Sequence, residues 1–194
     1  MSERQLYDAQ GRRKYLTADE RARFLRAAEN AERETRTFCM VLAYTGCRIS
    51  EAVNLTADRV DLDNGTIIFH SLKKRRSGVY RAVPVPSGVL DALDLVHDLK
   101  AAQKRAQAHK VKLWAWERTT AWRRVQAVMA DAALKGPQAT PKGLRHGFGV
   151  QAVNAGIPLN MVQKWLGHAQ LSTTAIYADA VGAEEQAIAA RMWK

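Results

Sequence analysis

Four side chains between residues 140 and 177 suit chemistry on a phosphate diester: Lys142, Arg145, His168 and Tyr177. Lysine and arginine supply positive charge and hydrogen-bond donors, and a histidine donates to a phosphate oxygen or moves a proton. A tyrosine hydroxyl can act as a covalent nucleophile. No Asp or Glu lies in this region, so the pattern predicts an anion site, with no metal and no other cofactor.

Each of these groups also has a plainer interpretation. Lys142 and Arg145 are three residues apart and share a helix face, which solvent alone can cover. His168 suits a helix cap, and Tyr177 stands among small residues, where an isolated tyrosine usually packs. His146 adjoins Arg145 but points about 100° away on a helix, so we interpret it as structural.

Two further basic groups lie earlier in the chain. Arg48 is followed three residues later by Glu51, which predicts either a phosphate-binding guanidinium held by a carboxylate or a surface pair of little energetic value. Lys73 and Lys74 lie in a basic run between two predicted strands. This run is either a solvated hairpin tip or a second source of lysine near the phosphate.

The composition favours a polyanionic partner. Thirty Lys and Arg against nineteen Asp and Glu give a formal charge of +11, which points first to nucleic acid and otherwise to a solvated basic surface. Basic residues concentrate in residues 70–81 and 100–124. The side chains predicted to contact DNA are Lys74, Arg75, Arg76, Arg81, Arg123 and Arg124.

The two cysteines, Cys39 and Cys47, form no metal pattern and no disulfide framework, so we expect both to be reduced core residues. The N-terminus has no apolar leader, and no apolar run reaches the length of a membrane span. These observations predict a cytoplasmic protein that does not act at a membrane.

Helix signals dominate the chain. Residues 1–16 are predicted to be a polar lead, and residues 17–194 a single domain. Thr17 and Glu20 have the spacing of a capping box, and Gly46, Gly156 and Gly167 suit helix ends. Further helices are predicted over residues 34–45, 88–99, 119–135, 141–155, 158–166, 172–180 and 182–192.

Strand signals are confined to one part of the chain. Asn64-Gly65 suits a hairpin turn, and the β-branched and aromatic residues 66–70 follow it. Residues 79–85 predict the returning strand. The sequence therefore predicts an α+β fold that is mostly α-helical, with a small antiparallel sheet of two or three strands.

The order and spacing of these motifs resemble the catalytic domain of the tyrosine recombinases, the phage integrase family. The resemblance runs from about Tyr15 to the C-terminus. It rests on residues 46–51 (GCRISE), a lysine in a β-hairpin, residues 143–146 (GLRH), residues 166–168 (LGH), and Tyr177 nine residues further on.

The resemblance implies a role for each matching residue. Arg48 and Arg145 would bind the scissile phosphate, Lys73 would protonate the leaving 5′ oxygen, and His168 would donate to the phosphate. Tyr177 would be the nucleophile. Glu51 would support the site.

The sequence departs from the family in two places. The family usually has a histidine three residues before the second arginine, where this chain has Lys142, and a lysine is a poor general base at neutral pH. Most members also carry an N-terminal DNA-clamping domain. We therefore expect a short form without that domain, or a catalytic domain that needs an accessory DNA-binding protein.

The function implied by the resemblance is site-specific recombination of double-stranded DNA through a 3′-phosphotyrosyl intermediate. The expected assembly is a homotetramer on paired DNA sites, with a monomer in the absence of DNA. The C-terminal residues 184–194 would dock on a neighbouring copy or on their own domain. Two alternatives remain: a non-catalytic DNA-binding regulator on the same fold, and a nicking-closing enzyme resembling type IB topoisomerases.

Overall fold

The structure is a computed structural model that describes residues 5–70, 79–178 and 189–193, without the side chain of residue 191. Within these residues the chain is mostly α-helical and has one small sheet. The helices are α1 (Ala18–Glu29), α2 (Arg33–Thr45), α3 (Ile49–Val53), α4 (Ser87–His97), α5 (Leu99–Gln103), α6 (Arg118–Asp131), α7 (Pro141–Asn154), α8 (Leu159–Leu166) and α9 (Ser172–Ala175). The strands are β1 (Val60–Asp61), β2 (Thr66–His70) and β3 (Tyr80–Pro84).

The predicted fold class is confirmed. A small antiparallel sheet of two or three strands was expected, and the described residues form three strands in the order β1-β2-β3. β2 and β3 pair with Ile67 opposite Val83 and Phe69 opposite Arg81. All four of these side chains are buried. The sheet therefore places one arginine on its inner face, opposite a phenylalanine.

The helix ends follow local signals in several places. The capping box of α1 is present, with the Glu20 backbone N–H donating to the Thr17 hydroxyl at 3.2 Å and the Thr17 N–H donating to the Glu20 carboxylate at 2.9 Å. Gly46 and Gly167 end α2 and α8 in the left-handed region, with φ of 59° and 67°. Only glycine adopts this conformation without a steric cost.

Other helix limits differ from the prediction. The helix predicted over residues 88–99 begins at Ser87, which is not a side-chain cap, and breaks at Asp98, whose φ is 50°. α6 ends at Asp131 because Ala133 has a φ of 53°. The helix predicted over residues 172–180 is the single turn α9. The helix predicted over residues 182–192 lies mostly outside the described residues. Of the described residues nearby, 190–193 form a 3₁₀ turn.

The main core lies between the first helices and the sheet. Phe24 of α1, Phe38 of α2, Val125 of α6 and Trp114 are completely buried. The rings of Phe38 and Trp114 meet edge to face, 5.0 Å apart, a favourable aromatic geometry. This core holds α2 and α3 rigidly, and the turn between them carries Arg48.

A second apolar cluster lies between α7, α8 and the segment before α1. It contains Leu6, Tyr15, Val150, Leu166 and Tyr177. The described residues before Thr17 are thus packed against the domain, and the predicted division at residue 17 stays a prediction. The cluster also buries the ring of the predicted nucleophile.

In the described part of the chain, α-helices are too short or too polar to cross a membrane.

Candidate active site

The turn between α2 and α3 positions Arg48. Gly46 turns the chain, and Arg48 then takes the N-cap position of α3. Its backbone N–H and its guanidinium both donate to the Glu51 carboxylate, at 2.8 and 2.9 Å. About a quarter of the Arg48 side chain remains exposed, which leaves donors free to bind an anion.

Glu51 is shared between two arginines. Its side chain is fully buried, and Arg81 donates to both carboxylate oxygens, at 2.6 and 3.1 Å. Burial alone would raise the pKa of Glu51, but the hydrogen bonds and charge of Arg81, followed by those of Arg48, lower it. The carboxylate therefore stays ionised and fixes both guanidinium groups.

Arg145 is held by the ends of two helices. Its two terminal nitrogens donate to the carbonyls of Gly46 and Leu166, each at 2.7 Å. These carbonyls lie at the C-termini of α2 and α8, which favour a cation. Burial and then the charge of Arg48 lower the pKa of Arg145 to about 10, so it is still a cation at neutral pH.

His168 follows the left-handed Gly167 at the end of α8. Its Nδ1 lies 2.9 Å from the Thr174 hydroxyl, and its ring stacks on that of Tyr177 at 6.1 Å with 18° between the planes. Burial, followed by the charges of Arg145 and then Arg48, lowers the pKa of His168 to about 3. The ring is therefore neutral, and its Nε2 is the atom not used by Thr174.

Tyr177 lies just after α9, with its ring buried against α7. A Cβ added at Gly149 would lie 2.6 Å from this ring, so the glycine makes the space that the ring occupies. Burial raises the pKa of Tyr177, and the charges of Arg145 and Arg48 oppose that rise. The phenol is therefore protonated at neutral pH.

His146 contacts the Tyr177 hydroxyl, which the sequence did not predict. Its Nδ1 lies 3.3 Å from the phenol oxygen. The His146 side chain is buried, as a structural role predicts. Its contact with the Tyr177 hydroxyl goes beyond that role. Sequence carried no signal for the contact, because the two residues are 31 positions apart and meet only when the ring of Tyr177 packs on α7.

These groups line one open cleft of about 870 Å³. The cleft brings together the predicted phosphate-binding residues, the predicted nucleophile and the histidine beside it: Arg48, Lys142, Arg145, His146, His168 and Tyr177. Lys142 is exposed at the start of α7. The volume of the cleft is large enough for a phosphate diester.

Lys73, Lys74, Arg75 and Arg76 lie outside the described residues, so their predicted roles stay predictions. Arg81 does not lie on the surface, where a DNA contact requires it. Only 4 % of its side chain is exposed and it binds the Glu51 carboxylate, because β3 points it inward. Arg81 is thus placed as a support for the site.

The two predicted arginines of α6 differ from each other. Arg123 is exposed, whereas Arg124 pairs with Glu32, donates to the Thr35 hydroxyl at 2.9 Å and lies over the Trp116 ring. Arg118 and Trp122 line the cleft and were not predicted. Their spacing of four residues places them on one helix face, a signal that the basic run of residues 100–124 contained.

The arrangement has the parts of an anion-binding site with a nucleophile. Within residues 5–70, 79–178 and 189–193, no group of three His, Cys, Asp or Glu side chains has the geometry of a metal site. The cations of Arg48 and Arg145 face the same space as the phenol of Tyr177. Such preorganised donors can stabilise charge that develops on a phosphate.

Comparison with known proteins identifies the fold and the family. The sequence profile described as "Phage integrase family" matches residues 14–183. The tyrosine recombinase XerA of Thermococcus kodakarensis is 30 % identical over 84 % of this chain, and the tyrosine recombinase XerD of Mycobacterium leprae is 30 % identical over 86 %. The chain spans 57 % of the length of each of these relatives.

Two solved structures are similar to the whole described fold. The crystal structure of the XerA recombinase superposes with a TM-score of 0.77 at 27 % identity, covering 92 % of this chain and 64 % of that one. The XerH site-specific recombinase bound to its difH substrate superposes with a TM-score of 0.72, covering 97 % and 60 % of the two chains. At 22 % identity the XerH likeness supports the fold alone. Together with the profile match, these similarities show that the chain belongs to the phage integrase family of tyrosine recombinases.

Proposed function

We propose that this chain is a site-specific DNA recombinase that cleaves and rejoins DNA by transesterification at Tyr177. The observation that supports the proposal best is the convergence of Arg48, Arg145, His168 and Tyr177 on one cleft. Two fixed guanidinium groups suit one phosphate diester, and the buried phenol is the nucleophile beside them.

The proposed step exchanges one ester bond for another. The phenol oxygen of Tyr177 attacks the phosphorus, its proton leaves, and the bond from phosphorus to the 5′ oxygen breaks. A 3′-phosphotyrosyl link remains on the protein, and the 5′ oxygen takes up a proton, which we assign to Lys73 on the family resemblance. Attack by the 5′-hydroxyl of another strand reverses the step and rejoins DNA.

Stabilisation of the five-coordinate phosphorus is the main contribution of the protein. Arg48, Arg145 and His168 are held by Glu51, by two helix ends and by Thr174 before substrate arrives, so they need little reorganisation. The removal of one preorganised donor of this kind typically lowers the rate about 10²- to 10³-fold.

The proposal is tested with a nicked suicide DNA substrate that traps the covalent link. Tyr177→Phe keeps the ring and loses the nucleophile, so we expect no protein–DNA band on a denaturing gel. Tyr44→Phe is the matched control, because Tyr44 lies in α2 with Arg21 over its ring and outside the cleft. A band that persists with Tyr177→Phe contradicts the assignment.

The same assay separates the proposal from its alternatives. DNA binding without any band from the unaltered chain favours a non-catalytic regulator. Relaxation of supercoiled DNA without a site preference favours a nicking-closing enzyme. Because the chain spans little more than half of its relatives, the tetramer, the accessory DNA-binding protein and the cytoplasmic location stay predictions.

A further inference from the structure

A buried histidine contacts the proposed nucleophile and has no place in the proposed mechanism so far. His146 is 6 % exposed, and its Nδ1 lies 3.3 Å from the hydroxyl oxygen of Tyr177. Its Nε2 is buried without a hydrogen-bond partner in the described residues. A buried polar atom without a partner is rare and destabilising, which marks this ring as a candidate for function.

Other groups near the phenol are less suited to accept its proton. Arg48 and Arg145 are donors only. His168 uses Nδ1 for Thr174, and its ring is offset from the Tyr177 ring and nearly parallel to it, so its nitrogen lone pairs lie in a plane nearly parallel to the phenol. Lys142 is exposed at the start of α7, whereas His146 is buried with Nδ1 3.3 Å from the phenol oxygen.

We propose that His146 accepts the proton of Tyr177 through Nδ1 as the phenol oxygen attacks the scissile phosphate. The proposal rests on the function proposed above and names a further catalytic residue for it. The Tyr177 O–H bond breaks, a bond from phosphorus to the phenol oxygen forms, and the proton moves to Nδ1 of the neutral imidazole. His146 becomes an imidazolium until the proton returns when the link is resolved.

Before substrate binds, the environment of the cleft keeps both the His146 imidazole and the Tyr177 phenol neutral. Burial is the largest cause that lowers the pKa of His146 to about 3, followed by the positive charges of Lys142, Arg145 and Lys14. A bound phosphate diester offsets these charges and makes the imidazole a better acceptor. The phenol proton also becomes far more acidic as its oxygen bonds to phosphorus, so transfer accompanies attack and does not precede it.

The test compares single-turnover formation of the covalent link by His146→Asn and by the unaltered chain. Asparagine preserves a hydrogen-bond acceptor near the position of Nδ1 but takes up no proton. We expect the rate to fall about 100-fold, within the range of general-base effects, at unchanged DNA affinity. His97→Asn is the matched control, because His97 is also largely buried but pairs with the Thr37 hydroxyl at 3.1 Å, away from the cleft.

Two substitutions of reacting atoms separate proton transfer from a structural effect. A substrate with sulfur at the 5′ bridging position needs no leaving-group proton, so the defect of His146→Asn should persist on it. A fluorinated tyrosine at position 177, with a phenol pKa below the assay pH, needs no base. With this tyrosine the two chains should differ by less than about fivefold, against the about 100-fold expected for a general base.

Four results overturn the inference. The first two are a His146→Asn rate within about threefold of that of the unaltered chain, far below the range of general-base effects, and an equal loss of rate in His97→Asn. The other two are recovery of the His146→Asn rate on the sulfur substrate and a loss of rate that fluorotyrosine does not reduce. In each of these cases the proposed function survives, because the unaltered chain still forms the covalent link. Absence of the link with the unaltered chain on every substrate overturns both proposals.

Discussion

Glu51 is the residue that holds the guanidinium groups of both Arg48 and Arg81. Its fully buried carboxylate binds Arg48 at 2.9 Å and Arg81 at 2.6 Å. Arg81 is itself almost fully buried, so the loss of the carboxylate leaves a guanidinium without its counter-charge inside the protein. An uncompensated buried charge destabilises a fold far more than the loss of a surface pair.

We therefore expect Glu51→Ala to lower the free energy of unfolding by about 3–5 kcal/mol. Urea denaturation measures this change. Glu29→Ala is the matched control, since Glu29 is exposed at the end of α1 and its loss should change stability by less than about 0.5 kcal/mol. Equal effects of the two substitutions would contradict the buried ion pair.

The same carboxylate makes stability depend on pH in one direction. The pKa of Glu51 in the folded protein lies below its ordinary value of 4.5. The contribution of the ionised Glu51 carboxylate to the free energy of unfolding is therefore complete above pH 4.5 and is lost as the pH falls toward the folded-state pKa. The stability difference between the unaltered chain and Glu51→Gln should narrow over that acid range and stay constant above it.

The contacts of Glu51 also mark the limit of sequence reasoning at this scale. Its pairing with Arg48 was predictable because the residues are three apart on one short helix. The pairing with Arg81 was not, because the residues are 30 positions apart and meet only through the fold of β3. A basic residue in a charged run is usually exposed, and Arg81 differs because alternation along β3 points it inward.

Among the elements, α7 contains glycines that lower its helix propensity but allow neighbouring segments to pack closely against it. Glycine in a helix destabilises it by roughly 0.5–1 kcal/mol relative to alanine, yet α7 contains Gly143, Gly147 and Gly149. A Cβ at Gly147 would lie 2.5 Å from the Leu16 carbonyl oxygen, and one at Gly149 would lie 2.6 Å from the Tyr177 ring. The glycines let the segment before α1 and the ring of Tyr177 approach the helix.

We expect Gly149→Ala to displace the Tyr177 ring and slow formation of the covalent link at least about 100-fold, as a small misplacement of reacting groups can do. DNA affinity should change little, because Arg48 and Arg145, which we propose bind the phosphate, remain in place. Gly88→Ala is the matched control: a Cβ at Gly88, in α4, meets nothing within 4 Å. An active Gly149→Ala variant would contradict the packing of Tyr177 against α7.

The elements were largely predictable where local chemistry decides them. Gly46, Gly167 and the Thr17–Glu20 capping box ended or began helices as expected, because these conformations involve only neighbouring residues. The contact between His146 and Tyr177 was missed because it depends on how the ring of Tyr177 packs on α7. The break at Asp98 was missed because aspartate adopts a positive φ only occasionally.

For the whole molecule, the net charge of +11 predicts that DNA affinity depends steeply on salt. Each phosphate that the protein neutralises contributes about 0.9 to the slope of log K against log salt concentration. Arg118→Ala removes an exposed guanidinium that lines the cleft, so we expect the slope to fall by about 1. Filter binding or fluorescence anisotropy over a salt series measures it.

Arg36→Ala is the matched control for the salt series, because Arg36 is exposed on α2 and outside the cleft. For this variant, the slope of log K against log salt concentration should equal that of the unaltered chain. Equal losses for Arg36 and Arg118 would show that the charge acts as a diffuse field, and no loss for either would contradict binding of DNA at the cleft.

Arg145 also connects two helices of the fold. By donating to the carbonyls of Gly46 and Leu166, this side chain connects the C-terminal ends of two helices that are far apart in sequence, and it also lines the proposed phosphate site. A movement of α8 away from α2 would therefore displace the Arg145 guanidinium from the proposed site while both helices remain folded. The proposed reaction and the connection between α2 and α8 therefore depend on the same side chain, so a substitution at Arg145 affects both.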